Sequence, residues 1–281
     1  VTGFEHTVFA LPFAFLGALL GSVVMFGALP SWGQIGWIVV AMFGARSAAM
    51  GLNRLIGRFS DAKNPRTAGR AIPAGLLKVG EVSLFIAFSF FLLFWAAFKL
   101  NPLSAKLLPI AVFLLVFYSF TKRFTWACHL ILGLTIPLAP LGGWVGVTGT
   151  VDWTSMVFYF TIVFWTAGFD IIYSCQDVEF DKKEGLYSIP VRFGVARALT
   201  IAKVFHMLTG IGFVSLLFIT VLSWWYLAGM LIASIILFYE RHIVSPSDLS
   251  RLQTAFFTMN GVLSIVVFSF TLIDLVVQFY K

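Results

Sequence analysis

Charge is what this chain has least of. Of its 281 residues only 11% are Asp, Glu, Lys or Arg, against 60% hydrophobic and 17% aromatic, and mean hydropathy is +0.96. A soluble domain carries roughly a quarter charged residues, so a water-soluble fold is excluded and a polytopic membrane protein is expected. Acidic residues are the scarcer sign, 12 against 19 Lys and Arg, for a formal charge of +7. In a soluble protein that balance would point to nucleic acid. Here the basic residues sit in a few loops, where they set topology and bind an anionic substrate, so no nucleic-acid partner is expected. Cysteine is nearly missing. Cys128 and Cys175 lie at or near apolar segments with no CxxC spacing, which argues against a disulfide frame or a thiolate metal site and for two small buried hydrophobes. Long polar tracts are missing too, so residues 1–281 are expected to form a single domain with no separate soluble unit. The first apolar run lacks the preceding basic region of a cleavable signal.

What fills the chain is a series of apolar runs of about 20 residues, each long enough to cross a hydrocarbon core of roughly 30 Å. Hydropathy places nine transmembrane helices near 9–29, 35–55, 80–98, 103–121, 126–148, 154–175, 198–220, 223–242 and 254–277, an all-α membrane fold. The loops after the second, fourth, sixth and eighth runs hold most of the basic residues, among them Arg54 to Lys78, Lys122, Arg123, Lys182, Lys183, Arg192, Arg197, Arg241 and Arg251. The positive-inside rule then puts the N-terminus and these polar loops in the cytoplasm of a cell whose inner membrane holds the chain.

Two polar stretches interrupt the apolar pattern. The first, NRLIGRFSDAKNPRTAGRAIP from Asn53 to Pro73, carries Asn53, Arg58, Asp61, Lys63, Arg66 and Arg70; the second, DVEFDKKEGLYSIPVR from Asp177 to Arg192, carries Asp177, Asp181, Lys182, Lys183 and Arg192. Oxygen ligands beside clustered cations point to a metal-bound phosphate. On a helix, Asn53, residue 57 and Asp61 share a face, as do Asp177 and Asp181. Two such sets facing each other suit Mg²⁺, which takes a few carboxylates, waters and substrate phosphate oxygens rather than an all-protein cage. The plainer alternative is that these acids are solvated loop charges paired with neighbouring Lys and Arg. A weak internal repeat, aligning Asn53, Gly57 and Asp61 with Tyr173, Asp177 and Asp181, agrees with a duplicated helical unit and a site between its halves.

Other residues extend the candidate site. Lys122 and Arg123, at the end of the fourth run, either snorkel to headgroups or reach the diphosphate. Arg66 and Arg70 either clamp phosphate oxygens or enforce topology. Arg46 lies inside an apolar run, where an arginine costs about 2.5 to 3.5 kcal/mol on an insertion scale. It precedes Asn53 by two turns, roughly 10 Å deeper, where an acidic aromatic acceptor would sit beneath the diphosphate. Asp170 stands in the same relation to Asp177; the alternative is that Arg46 and Asp170 simply pair. His129 and His206 have no ligand spacing and read as satisfied interior histidines. His6 is placed at the start of the first run, near the cavity mouth. The 32 Phe and nine Trp are chiefly lipid-facing or packing residues, a few of them available to line a channel for a polyisoprenoid tail.

These stretches resemble a known family. GLNRLIGRFSDAKNPRTAGRAIP resembles the first signature of the UbiA intramembrane prenyltransferases, YSFTKRFTW their central basic segment, and GFDIIYSCQDVEFDKKEGLYSIPVRFG their second aspartate-rich signature. FEHTVFALPFAF and SPSDLSRLQTAFFTMNG extend the likeness to both ends, and the details look most like the 4-hydroxybenzoate polyprenyltransferase-like branch, which includes the MqnP-type enzymes of the futalosine menaquinone route. The resemblance implies nine helices around a central cavity open to lipid, two Mg²⁺ ions holding a polyprenyl diphosphate, and C-prenylation of an aromatic acid, 4-hydroxybenzoate or 1,4-dihydroxy-6-naphthoate, in ubiquinone or menaquinone biosynthesis. It implies Asn53, Asp61, Asp177 and Asp181 as metal ligands, Lys122 and Arg66 on diphosphate, and Arg46 on the acceptor's carboxylate. One position departs from the pattern: Gly57 stands where the family's signature normally has an aspartate, which is expected to weaken metal binding. A catalytically impaired relative is the first alternative. A transporter of an anionic substrate, with polar half-helices at the repeat interface, is the second.

Overall fold

The computed structural model describes residues 2–63, 67–244, 249, 258 and 260–279. They form twelve α-helices and, among the described residues, no strand. The helices are α1 (Thr2–Phe26), α2 (Trp32–Lys63), α3 (Val79–Leu100), α4 (Pro102–Thr121), α5 (Cys128–Thr135), α6 (Leu138–Thr148), α7 (Trp153–Ser174), α8 (Val178–Lys183), α9 (Ile189–Phe193), α10 (Val195–Ile219), α11 (Trp224–Ile243) and α12 (Asn260–Phe279). Among the described residues, seven spans are long and apolar enough to cross a membrane, with α5 and α6 counted as one and α7 continued to Lys183; Pro12–Phe26 and Trp224–Tyr239 are shorter apolar helices. The protein is therefore an all-α, multi-pass membrane protein, with seven spans by that measure where hydropathy anticipates nine.

Local sequence explains the departures from the hydropathy reading. The expected fifth run breaks at Ile136 and Pro137, because proline supplies no N–H and its ring crowds the carbonyl four residues back. The second run does not stop near residue 55: the polar residues that follow continue the helix to Lys63, which places Asn53, Gly57 and Asp61 on its last turns. The sixth run tightens into a 3₁₀ turn at Cys175–Asp177 before α8 begins. Asp177 and Asp181 therefore do not lie on one continuous α-helix, as their spacing had implied. Of the last run, 254–257 and 259 lie outside the described residues.

Neighbouring helices close the bundle on itself. α1 packs against α2, and the contacts run on through α3, α4, α5, α7, α10, α11 and α12 back to α1, with α6 against α1. Close backbone approach replaces a hydrophobic driving force inside lipid. At Gly44 on α2, a Cβ would lie 2.6 Å from the Ser89 carbonyl oxygen of α3, so only glycine permits this packing. The core is aromatic, with Trp144, Phe158, Trp165, Phe169 and Tyr226 buried together, while Phe88, Phe98, Phe113 and Phe218 face outward. The Trp165 indole donates to Asn260 Oδ1 at 3.0 Å, joining α7 to α12. Asn101 joins α4 to α6: its side chain accepts from the Ser104 N–H at 2.9 Å and its amide donates to the Val145 carbonyl at 2.7 Å.

Candidate active site

Because α2, α4 and α7 run the same way through the bundle, their C-terminal ends emerge on one face. Three contacts tie those ends together. Lys63 at the end of α2 meets Glu184, just past α8, at 2.9 Å. Arg123, after α4, donates to the Ile56 carbonyl of α2 at 2.9 Å. Lys122 lies 2.7 Å from Asp181 of α8, and its carbonyl accepts from the Tyr187 N–H at 2.8 Å. The two polar stretches, more than a hundred residues apart in sequence, thus close over a common site.

Each anticipated metal ligand has its own setting there. Asn53 donates from its amide to the Tyr118 hydroxyl at 2.6 Å. Asp61 accepts from Arg70 through Oδ1 at 2.6 Å, while its Oδ2 is buried and, among the described residues, has no hydrogen-bond partner. Asp181 is 1% exposed, and its Oδ2 pairs with the Lys122 ammonium. Asp177, half-buried, lies within electrostatic reach of both Lys122 and Asp181. Burial alone would lower the Lys122 pKa, but the charges of Asp181 and Asp177 outweigh it and hold the ammonium above the ordinary lysine value. Lys122 is therefore charged throughout the neutral range.

The anticipated phosphate ligands divide. Arg70 and Lys122 are held against acids at the site, as described. Arg123 is spent on the α2 backbone and is exposed, with its guanidinium 5.6 Å from the Phe120 ring centroid. Arg66 lies outside the described residues. Deeper in the bundle, Arg46 is half-buried on α2, and Asp170 on α7 is closed upon by His129 of α5, Nδ1 to Oδ2, at 2.6 Å. Sequence reasoning missed two members of this constellation. Tyr118 accepts from the Asn53 amide and lies within electrostatic reach of Asp170, Arg54 and Arg70, and its only sequence signal was a phenol in an apolar run four residues before Lys122. His129 was read as a satisfied interior histidine, with no indication of its partner.

Among the described residues, no three His, Cys, Asp or Glu side chains gather into a ready-made metal cage. Asp61 Oδ2, buried and without a partner among the described residues, nonetheless suits a cation, since an unsatisfied carboxylate oxygen is costly where water does not reach it. A sparse carboxylate set of this kind fits Mg²⁺, which completes its octahedron with water and phosphate oxygens. Gly57 leaves adjacent room: a Cβ there would have Asp61 Oδ2 as its nearest neighbour, at 3.8 Å.

Known proteins resemble this chain in sequence and in fold. A 4-hydroxybenzoate octaprenyltransferase of Vibrio campbellii is 29% identical over 249 residues, covering 85% of this chain and 84% of that one. A mitochondrial 4-hydroxybenzoate polyprenyltransferase of Arabidopsis thaliana is 32% identical over 215 residues, covering 74% of this chain and 51% of the other. Among solved structures, the apo form of a UbiA homologue from Aeropyrum pernix superposes with a TM-score of 0.86 at 27% identity, over 96% of this chain and 98% of that one. A UbiA homologue from Archaeoglobus fulgidus, bound to GPP and Mg²⁺, shares the fold with a TM-score of 0.71 at 19% identity, over 97% and 99% of the two chains. Residues 10–262, most of the chain, match the UbiA prenyltransferase family, and the protein belongs to it.

Proposed function

We propose that the protein is a Mg²⁺-dependent aromatic polyprenyltransferase that moves a polyprenyl group from its diphosphate to an aromatic acid in quinone biosynthesis, the whole chain acting as one domain. The observation that carries this reading is the pairing of acids and cations drawn from both halves of the chain, Asp61 with Arg70 and Asp181 with Lys122, on one membrane face. The relatives' names supply the donor and acceptor classes, polyprenyl diphosphate and 4-hydroxybenzoate.

Asp61 is paired with Arg70 and Asp181 with Lys122. Asn53, Asp61, Asp177 and Asp181 would hold the metal, and Arg70 and Lys122 would then be available to the phosphate oxygens, for which Arg66 is also assigned. This exchange of partners keeps the site near neutrality, so little charge is stranded in low dielectric. Mg²⁺, when bound, supplies the positive charge that stabilises the departing diphosphate. Arg46 holds the acceptor's carboxylate about two helical turns deeper than Asn53. The allylic C–O bond breaks with its electron pair going to the departing diphosphate, a ring carbon bonds to the freed allylic carbon, and the ring proton passes to solvent. Arg123 is assigned to tethering α4 to α2. The basic residues on this face support a cytoplasmic orientation for it.

The test is direct. Purified protein is incubated with Mg²⁺, a labelled polyprenyl diphosphate and either 4-hydroxybenzoate or 1,4-dihydroxy-6-naphthoate, and the products are weighed by mass spectrometry. A Mg²⁺-dependent adduct of acid plus prenyl group is expected, and the preferred acid names the acceptor. Vesicle uptake of the anion with no chemical change would support the transporter reading instead.

A further inference from the structure

α10 and α11 lie side by side, but each packs chiefly on another neighbour, α10 on α7 and α11 on α12. A groove runs along the seam between them. Its wider stretch, about 510 Å³, is lined by Met207, Gly210, Val214 and Phe218 of α10 and by Ser234 of α11. A narrower pocket of about 180 Å³ shares Met207, Gly210 and Ser234 and ends at His206. The His206 ring is buried against Gly168 of α7, where a Cβ would lie 2.5 Å from it, so it closes that end. α10 begins on the face of the candidate site, since it follows α9 and the segment whose Tyr187 N–H donates to the Lys122 carbonyl. The groove therefore runs from mid-depth to the opposite face.

Three features select what fills it. From Met207 to Phe218 the groove follows α10 for about 17 Å at the helical rise, close to the share of one leaflet, about 15 Å, in a hydrocarbon core of roughly 30 Å. The Ser215 hydroxyl donates to the Ile211 carbonyl at 2.8 Å and the Ser234 hydroxyl to the Met230 carbonyl at 2.8 Å. The walls thus present hydrocarbon, and an occupant with acceptor groups along this length would leave them unsatisfied. Trp224 and Trp225, both exposed, stand at the start of α11 beside the open end, at the level where tryptophan marks the headgroup layer. From Phe218 to Tyr226 the sequence carries no charge, so no headgroup charge is read there. We propose that this groove binds one acyl chain of a phospholipid from the leaflet opposite the candidate site, its ester end level with Trp224 and its methyl end at His206. A prenyl diphosphate fits poorly, because its charged group belongs at the other face. The chain fills the seam that the two helices leave open and holds α11 to α10.

Gly210 makes room for it: a Cβ there would meet nothing within 4 Å, so a large side chain projects into the groove and not into a neighbouring helix. Gly210→Trp fills the groove from α10 and Ser234→Phe from α11, and either alone carries the test if the other does not fold. Wild-type and variant proteins in detergent are supplied with dioleoyl-phosphatidylglycerol or dioleoyl-phosphatidylethanolamine and weighed by native mass spectrometry under rising collisional activation. The wild type should retain one phospholipid longest, equally for the two headgroups, and should release the dioctanoyl form sooner. Each variant should retain one phospholipid fewer, and added dioleoyl lipid should raise its thermal midpoint by less than it raises that of the wild type. Equal retention by wild type and variants would overturn the inference, as would a strong preference for one headgroup. So would loss from Gly210→Trp of a co-purified polyprenyl compound, or of a wild-type dimer, in place of a phospholipid.

Discussion

The two ends of the bundle treat buried carboxylates differently. Near the face opposite the candidate site, Asp274 of α12 is fully buried, and its oxygens are taken up by four donors: the Ser223 N–H at 2.8 Å, the Ser223 hydroxyl at 2.9 Å, the Tyr226 N–H at 2.8 Å and the Gln278 amide. Ser223 is the N-cap of α11 and Tyr226 lies in its first turn, where N–H groups have no intrahelical partner, so Asp274 caps that helix from its neighbour. At the site face, among the described residues, Asp61 pairs with Arg70 and Asp181 with Lys122, and Asp61 Oδ2 has no hydrogen-bond partner. A carboxylate with every lone pair engaged by backbone and amide donors serves the fold. One whose partners are mobile side-chain cations is poised to exchange them for a ligand.

Breaking each end should give opposite signatures. Asp181→Ala or Asp177→Ala is expected to drop prenyl transfer below detection while the protein remains folded in membranes, as read by product assay and size-exclusion chromatography. Asp274→Ala should do the reverse. It strands buried helix-end donors and should cost about 3 kcal/mol of stability, seen as a lower thermal midpoint in detergent, with activity per folded molecule preserved. Gly57→Asp sharpens the site side of the comparison. The space beside Asp61 Oδ2 accepts a side chain, so one more carboxylate should raise the rate at limiting Mg²⁺ by about tenfold; a flat magnesium titration would count against the assignment of that position. The smallest effect belongs to Lys63→Ala, because the Lys63–Glu184 bridge is largely solvent-exposed on the lysine side. Its loss should change stability by less than about 1 kcal/mol and fade further with salt.

Much of this was legible in the residues because it is local. The apolar runs locate the spans, and Asp61, Asp177, Asp181 and Lys122 stand out as charges at the ends of such runs. Asn53 to Asp61 read as a polar loop entry, yet it is helical, since none of its residues breaks a helix and α2 extends past the apolar stretch to Lys63. Pro137 was visible in sequence, but its power to split a span depends on the backbone around it. Contacts between distant helices were out of reach. Nothing in the chain links His129 to Asp170, or Asp274 to the start of α11, because pairings across 41 and 48 to 51 residues are set by how the ring of helices closes.

The most direct measurement is binding of a non-hydrolysable prenyl diphosphate analogue with and without Mg²⁺, in the wild-type protein and in Asp61→Ala and Asp181→Ala. Acids from both halves sharing one metal-bound ligand predict tight binding only with Mg²⁺, lost when either acid is removed. Binding that ignores Mg²⁺, or that survives removal of one of the two acids unchanged, would contradict that account.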